Sequence, residues 1–243
     1  MRLNKYISET GICSRREADQ WIATGQVTIN GRRADLGVVV GNGDHLSVNG
    51  EALPPVELEV KRSKIYIALN KPVGIECTTE REVDRNIVDF IDHPDRIFPI
   101  GRLDKNSEGL ILLTNDGDIV NQVLRAENKL EKEYFVVVDK PITPAFLRGM
   151  ANGVPIHRTR TQPCRIERIN KITFRIVLVQ GLNRQIRLMC AHFDYSVRQL
   201  CRVRIGKIQL GHLRSGQWRK LNPAEISGLS APVRVHPRGG GGG

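Results

Sequence analysis

Several features that define other protein classes are missing from this chain of 243 residues. Its five cysteines show no Cys-x-x-Cys spacing, which argues against a disulfide framework or a zinc cage and for reduced thiols. No apolar run reaches membrane-spanning length, and the opening residues MRLNKYISE lack the apolar core of a signal peptide. We therefore expect a soluble, cytoplasmic protein that does not engage a membrane.

Nucleotide and metal motifs are missing as well. The sequence has no Walker loop and no GxGxxG fingerprint after a strand, which argues against a nucleotide-dependent enzyme and against a methyltransferase. Cys190 and His192 are two residues apart, but no second pair of ligands lies near them in sequence to complete a tetrahedral site. We expect neither a cofactor nor a bound metal.

Positive charge is abundant and unevenly distributed. The chain has 37 Lys and Arg residues against 26 Asp and Glu, a net charge of +11, which favours a polyanionic partner. Residues 1–60 have 6 basic and 8 acidic side chains, whereas residues 157–207 have 12 basic and 2 acidic ones. Phosphates of the partner are therefore expected mainly against the C-terminal part of the chain.

The first sixty residues have the pattern of a compact helix-helix-hairpin unit. A short apolar stripe precedes Gly11, and Ser14 and Glu17 have the spacing of a capping box that begins a second helix. Alternating apolar residues then lead to Asn30-Gly31, a strong signal for a tight turn.

Four arginines in this unit are candidates for RNA contact. Arg15 and Arg16 are predicted at the positive end of the second helix, beside Arg32 and Arg33 on the turn, where guanidiniums suit a phosphate backbone. The alternative is that they only keep the unit soluble.

The remainder of the chain predicts a second, larger domain. Pro54, Pro55 and the charged run to Lys64 indicate a linker, and residues 64–229 alternate apolar strands with short helices. Because the strands and helices lack a regular βαβ rhythm, we predict an α+β fold with a largely antiparallel sheet. Residues 230–243, rich in Pro, Arg and Gly, are predicted to be a disordered tail.

Within this domain the segment Gly101–Gly117, GRLDKNSEGLILLTNDG, is the most informative. Asp104 follows Arg102 in a loop that leads directly into the apolar run Leu110–Leu113, and such loops on rigid strands commonly hold catalytic residues. An Arg-x-Asp turn with a local ion pair is the simpler explanation when the segment is taken alone.

Four segments in the same order resemble the RNA pseudouridine synthases, and the N-terminal unit resembles an S4-like RNA-binding module, a combination typical of the rRNA-modifying RsuA branch. The segments are ALNKPVGI around Lys71, GRLDKNSEGLILLTNDG around Asp104, LEKEYFVVV around Tyr134, and VQGLNRQIRLM around Arg187. The resemblance extends from residue 1 to about residue 229. It implies the fold of that family, with a bent sheet and an active cleft across its middle.

The resemblance also implies roles for individual residues. Asp104 stands at the position of the essential aspartate, Arg187 at that of the arginine that pairs with it, and Tyr134 at that of the active-site tyrosine. From the residues alone, Arg187 and Arg184 are not distinguishable, and a tyrosine at the head of an apolar run is ordinarily a core residue. Roles in RNA contact are expected for a further set: Arg102, Arg184, Lys71 and Lys132, the two lysines being alternatively structural.

The implied reaction is the conversion of uridine to pseudouridine, with the target base flipped out of the RNA. The implied substrate is large-subunit (23S) rRNA, with a tRNA stem-loop as an alternative, and the protein is expected to be a monomer. Two rival functions remain at this point. One is a non-catalytic RNA-binding or ribosome-assembly factor, and the other is a hydrolase or nuclease that uses Asp104 with Asp116 or Asp118.

Overall fold

The computed structural model describes residues 1–54, 56, 63–80, 82–124 and 130–230. The chain divides into two compact units, residues 1–63 and residues 64–243. Most of the predicted linker and the predicted tail from residue 231 lie outside the described residues, and Ser230 is the last residue of a helix. No described helix has the length and apolar character needed to cross a membrane.

The described residues contain seven helices. In chain order they are α1 (Leu3–Glu9), α2 (Arg15–Ala23), α3 (Ile87–Ile91), α4 (Gly117–Leu124), α5 (Pro144–Ala151), α6 (Gln185–Ala191) and α7 (Pro223–Ser230). The starts of two of them follow from their capping sequences. The Ser14 side chain accepts from the Glu17 amide while Glu17 accepts from the Ser14 amide, and Asn222 and Glu225 make the same reciprocal pair before α7.

The strands form one small sheet, one hairpin and one large sheet. In chain order they are β1 (Val27–Ile29), β2 (Arg32–Arg33), β3 (Leu46–Val48), β4 (Glu51–Ala52), β5 (Tyr66–Lys71), β6 (Phe98–Ile100), β7 (Glu108–Thr114), β8 (Lys132–Val138), β9 (Pro155–Ile156), β10 (Thr159–Arg160), β11 (Arg165–Arg168), β12 (Thr173–Leu178), β13 (Val197–Ile205), β14 (Ile208–Gln209) and β15 (Trp218–Lys220).

The N-terminal unit consists of α1, α2 and a four-stranded sheet of strand order β2-β1-β3-β4. The predicted turn joins β1 to β2, with Asn30 at φ 51° and Gly31 at φ 79°, the left-handed backbone that a tight hairpin of this type requires. The unit has its own apolar core, in which Leu3, Ile7 and Ile22 are almost fully buried.

The larger unit is organised around a nine-stranded sheet. Its main path runs β11-β12-β8-β13-β7-β5-β15, with β14 paired to β13 and β6 to β7. The pairings are antiparallel except that between β13 and β7, which is parallel. Each face of this sheet carries its own buried apolar cluster, because successive side chains of a strand point to opposite faces. In β5, Ile67 and Leu69 belong to one cluster and Ala68 belongs to the other. The predicted α+β class with a mainly antiparallel sheet is confirmed.

Candidate active site

The site is built on one row of residues across the middle of the large sheet. Lys71 of β5 is paired with Gly109 of β7, Gly109 with Arg202 of β13, and Arg202 with Tyr134 of β8. Residues that lie opposite each other on neighbouring strands project from the same face. We call these four residues the cross-sheet row. It brings together three of the four segments that were singled out in the sequence.

The parallel contact within this row depends on Gly109. Its φ is +102°, and a Cβ added there would lie 2.3 Å from the carbonyl oxygen of Arg202. A side chain at residue 109 would therefore force β7 and β13 apart.

The Asp104 loop, residues 101–107, joins β6 to β7 beside this row. Leu103 is buried in the larger core cluster, and its amide donates to the Cys77 Sγ at 3.4 Å. The Gly74 amide donates to the Lys105 carbonyl at 2.8 Å, and the Ser107 amide to the Asp104 carbonyl at 3.0 Å. These contacts on both sides of Asp104 fix the loop, while the Asp104 side chain remains partly exposed.

Arg187 of α6 reaches this loop from the other side. Its Nη2 donates to the Asn106 carbonyl at 2.7 Å and to the Ser107 Oγ at 3.2 Å, and its Nη1 donates to the Val197 carbonyl at 3.3 Å. Within the described residues it makes no ion pair with Asp104, so the predicted direct contact is not formed in this structure. The guanidinium instead holds the Asn106 carbonyl and the Ser107 hydroxyl, two and three residues beyond the carboxylate.

The electrostatic influence of Asp104 nevertheless extends to Arg187. Burial lowers the pKa of the Arg187 guanidinium, the positive charge of Arg184 lowers it further, and the Asp104 carboxylate opposes both effects. Arg184 itself is exposed and precedes α6 in a left-handed conformation, with φ 49°. Arg184 is also the N-cap of α6, and it makes no side-chain capping bond. The two arginines are thus distinguished by burial.

The two lysines named as RNA contacts are placed differently from each other. Lys71 is fully buried, and its Nζ donates to the carbonyls of Pro72 at 2.9 Å and Ile75 at 2.8 Å. A phosphate contact does not fit this buried ammonium, whereas the alternative expectation of a structural role for Lys71 does. Burial lowers the pKa of Lys71, while the charges of Cys77 and Asp104 oppose the shift. Lys132 is partly buried, with its Nζ 3.1 Å from the Leu130 carbonyl.

Sequence reasoning missed Arg202. It is 4% exposed, and it donates from Nε to the Leu110 carbonyl at 2.7 Å and from Nη1 to the Arg102 carbonyl at 3.4 Å. In the sequence it is one of three arginines in the run VRQLCRVRI, and no local signal separates it from the others. Only the register of β13 against β7 and β8 places it inside the site. The Arg102 side chain, by contrast, is exposed.

Tyr134 lies at the end of the cross-sheet row. Its ring belongs to the larger core cluster, and the residue is 8% exposed. Among the described residues its hydroxyl has no hydrogen-bond partner. A hydroxyl that is not used by the fold is available for a proton or for a substrate atom.

The four arginines of the N-terminal unit do not form the predicted group. The Arg33 Nη2 donates to the Ala23 carbonyl at the C-terminal end of α2, whereas Arg15 and Arg16 begin that helix. At about 1.5 Å per residue, the nine residues of α2 separate these ends by about 13 Å. The guanidinium of Arg33 also lies over Gly25, where a Cβ would be 2.6 Å from its Cζ. Arg16 and Arg32 are exposed.

Asp116 lies at the far end of β7 from Asp104. Its Oδ2 accepts from the Lys64 Nζ at 2.8 Å and the Tyr66 hydroxyl at 2.7 Å, and its Oδ1 accepts from the Asp118 amide at 3.1 Å. The six steps along β7 span roughly 20 Å. That separation rules out a shared acid-base pair with Asp104. Among the described residues no group of His, Cys, Asp and Glu is arranged to hold a metal ion.

Comparison with known proteins agrees with this geometry. The family described as RNA pseudouridylate synthase matches residues 65–192, and the S4 domain family matches residues 1–46. A crystal structure of a pseudouridylate synthase superimposes with a TM-score of 0.68 at 28% identity and covers 94% of this chain and 99% of that one. The chain is therefore an RNA-modifying isomerase and belongs to the RNA pseudouridine synthase family.

Among its relatives, the chain is similar to the dual-specificity RNA pseudouridine synthase RluF of Escherichia coli strain K12. The two are 56% identical over 229 residues, which is 94% of this chain and 78% of the relative. The ribosomal large subunit pseudouridine synthase B of Bacillus subtilis strain 168 is 34% identical and covers 95% of this chain and 96% of its own length. The predicted family and its S4 module are thereby confirmed.

Proposed function

We propose that this enzyme uses Asp104 as its nucleophile to isomerise a flipped-out uridine in the stem-loops of 23S rRNA, with a tRNA stem-loop as a second substrate. The observation that supports the proposal most is the anchoring of the Asp104 loop. Arg187, Arg202 and the buried Leu103 hold this loop from three sides, yet leave the carboxylate partly exposed. A nucleophile needs fixed geometry and access to substrate at the same time.

The chemistry requires few participants. The bond between N1 and the ribose is broken, a bond from C5 to the same ribose carbon is formed, and the C5 hydrogen leaves as a proton while N1 gains one. No oxidant or reductant is needed. Asp104 attacks either the ribose carbon or the pyrimidine ring. The Tyr134 hydroxyl, which has no hydrogen-bond partner among the described residues, is suited to take the C5 proton while its ring stacks on the base.

RNA is held chiefly through its phosphates, and the base is read where it is flipped. The exposed side chains of Arg102 and Arg184 flank the site and are the proposed phosphate contacts, with Arg15, Arg16 and Arg32 as contacts of the N-terminal unit. Lys132 is a weaker candidate because its ammonium already contacts a carbonyl. Arg33 would have to leave Ala23 to reach RNA.

The choice of substrate rests on the relatives. One is named as dual in specificity, and another is named for the large ribosomal subunit. These names favour large-subunit rRNA as one substrate and a second kind of RNA as another. A stem-loop shape common to both RNAs would explain why one enzyme accepts both. We further propose that the enzyme acts as a monomer in the cytoplasm.

Pseudouridine mapping tests the substrate. Total rRNA and tRNA from cells with and without this protein are compared, and the proposal expects one or a few sites to disappear, at least one of them in 23S rRNA. Sites lost only from small-subunit rRNA would contradict the substrate, although not the reaction.

Asp104→Asn tests the nucleophile. The variant is expected to retain RNA affinity within a few-fold while product formation falls below detection. The family to which the chain belongs already favours an enzyme over the non-catalytic RNA-binding alternative. Product formation by the variant at the wild-type rate would exclude Asp104 as the nucleophile.

A further inference from the structure

Arg202 is a charged group in an unfavourable place for stability. It is 4% exposed and forms no ion pair among the described residues. Its Nη2 is buried without a hydrogen-bond partner in that part of the chain. A buried charge without a counterion is costly, and a polar side chain retained at such cost calls for a specific reason.

Its neighbours increase that cost. Burial lowers the pKa of Lys132, and the positive charge of Arg202 lowers it further. The positive charge of Arg202 also lowers the pKa of Lys71, which is another buried cation of the cross-sheet row. Three cations therefore lie close together under the site, and packing alone gives no reason for an arginine among them.

The two hydrogen bonds of Arg202 indicate the reason. Its acceptors, the carbonyls of Arg102 and Leu110, stand on either side of Asp104 in sequence. One guanidinium thus joins the first residues of the Asp104 loop to the strand that follows it. The backbone of Arg202 is itself fixed against Gly109 on one side and opposite Tyr134 on the other.

We propose that Arg202 is a positioning residue, which holds the Asp104 loop in a fixed relation to the strand of Tyr134 and is needed for the chemical step rather than for RNA binding. The proposal rests on the proposed role of Asp104. Arg202 spans β8, β13 and β7 at the level of the site, so it connects the elements that present the carboxylate and the phenol.

Arg202→Lys is the informative variant, since it keeps the charge but replaces a planar fork with a single ammonium that cannot reach both carbonyls in the same way. We expect the single-turnover rate on a saturating stem-loop RNA to fall at least tenfold, with the dissociation constant of that RNA within threefold of wild type. Arg202→Met should give a larger loss of rate with the same affinity.

Arg204→Met is the matched control. Arg204 lies on the same strand and is also well hydrogen-bonded, to Glu133 at 2.8 Å, Glu131 at 3.1 Å and the Gly206 carbonyl at 2.8 Å, but it contacts nothing in the Asp104 loop. We expect its single-turnover rate within twofold of wild type. Circular dichroism and thermal melting of each variant report folding.

Three results would overturn the proposal. The first is an Arg202→Lys rate within twofold of wild type. The second is equal loss of rate and affinity, which would make Arg202 an RNA contact. The third is failure of both Arg202 variants to fold while Arg204→Met folds, which would leave a purely structural role. Asp104→Asn is assayed in parallel, so an error in the nucleophile is recognised independently of Arg202.

Discussion

Replacing Arg187 by lysine tests how strongly the Asp104 loop depends on one guanidinium. Arg187 donates to the Asn106 carbonyl, the Ser107 hydroxyl and the Val197 carbonyl. A lysine ammonium at the end of a flexible stem cannot retain all three contacts, because they diverge from the two ends of a planar group. The variant therefore keeps the positive charge but loses the arrangement of hydrogen bonds that holds the loop.

The expected magnitude follows from those contacts. A hydrogen bond to a charged donor contributes about 1.5–3 kcal/mol, so losing one of them leaves the loop free to shift. A shift of about 1 Å at a reacting group costs about 100-fold in rate. We therefore expect Arg187→Lys to form pseudouridine about 100-fold more slowly, with little change in RNA affinity.

Release of tritium from RNA labelled at C5 of uridine measures this rate directly, because that hydrogen leaves during the reaction. Arg184→Gln serves as the comparison: Arg184 is exposed and is a proposed phosphate contact, so its loss should weaken RNA binding and leave the single-turnover rate within threefold. An Arg187→Lys rate within threefold of wild type would refute the reasoning. A reversed pattern, in which Arg187→Lys loses affinity and Arg184→Gln loses rate, would exchange the two roles.

Three further predictions concern the proton, the fold and the RNA. Tyr134→Phe should lower the rate by about 100-fold or more, with an unchanged melting temperature, because the hydroxyl makes no hydrogen bond within the described residues; an active variant would assign the C5 proton to another group. Asp116→Asn should destabilise the protein by about 1.5–3 kcal/mol in urea at pH 7, since Lys64 and Tyr66 both donate to this carboxylate. Burial by itself raises the pKa of Asp116, but these hydrogen bonds outweigh burial and lower the pKa below its ordinary value of 3.8. The stabilisation is therefore present above pH 3.8 and is lost as the pH falls through the lowered pKa. A stability difference between wild type and Asp116→Asn that grew on acidification would contradict this sign. RNA affinity should fall with salt at a logarithmic slope of about −0.7 per neutralised phosphate on single-stranded segments, and a flat dependence would argue against phosphate-based binding.

Local signals in the sequence predicted the elements with apolar periodicity or caps. The capped start at Ser14 is observed as predicted, because it depends on residues within one turn of each other. The run Leu110–Leu113 lies within the longer strand β7, which is buried from residue 109 to residue 114. Tyr134 lies near the head of the apolar run that forms β8, as its sequence context indicates.

Features that depend on strand register or lie at a sheet edge could not be predicted from the sequence. The strand Arg165–Arg168 is polar and lies at the edge of the sheet, so it has no apolar pattern to predict it. The distance between Arg33 and Arg15 depends on how a hairpin packs on a helix. The place of Arg202 depends on pairing between segments far apart in the chain, which no local periodicity records.

The parallel pairing of β13 with β7 has a consequence for how the enzyme becomes active. It joins Glu108 to Cys201, and segments so distant in the chain are slow to meet because closing the intervening loop costs entropy. During synthesis the S4 unit and the strand after Asp104 emerge long before the strand with Arg202. A nascent or truncated chain that ends before residue 197 lacks β13, the strand that pairs with both β7 and β8. The Asp104 loop and Tyr134 can therefore be held on one sheet only after the last strands have been made.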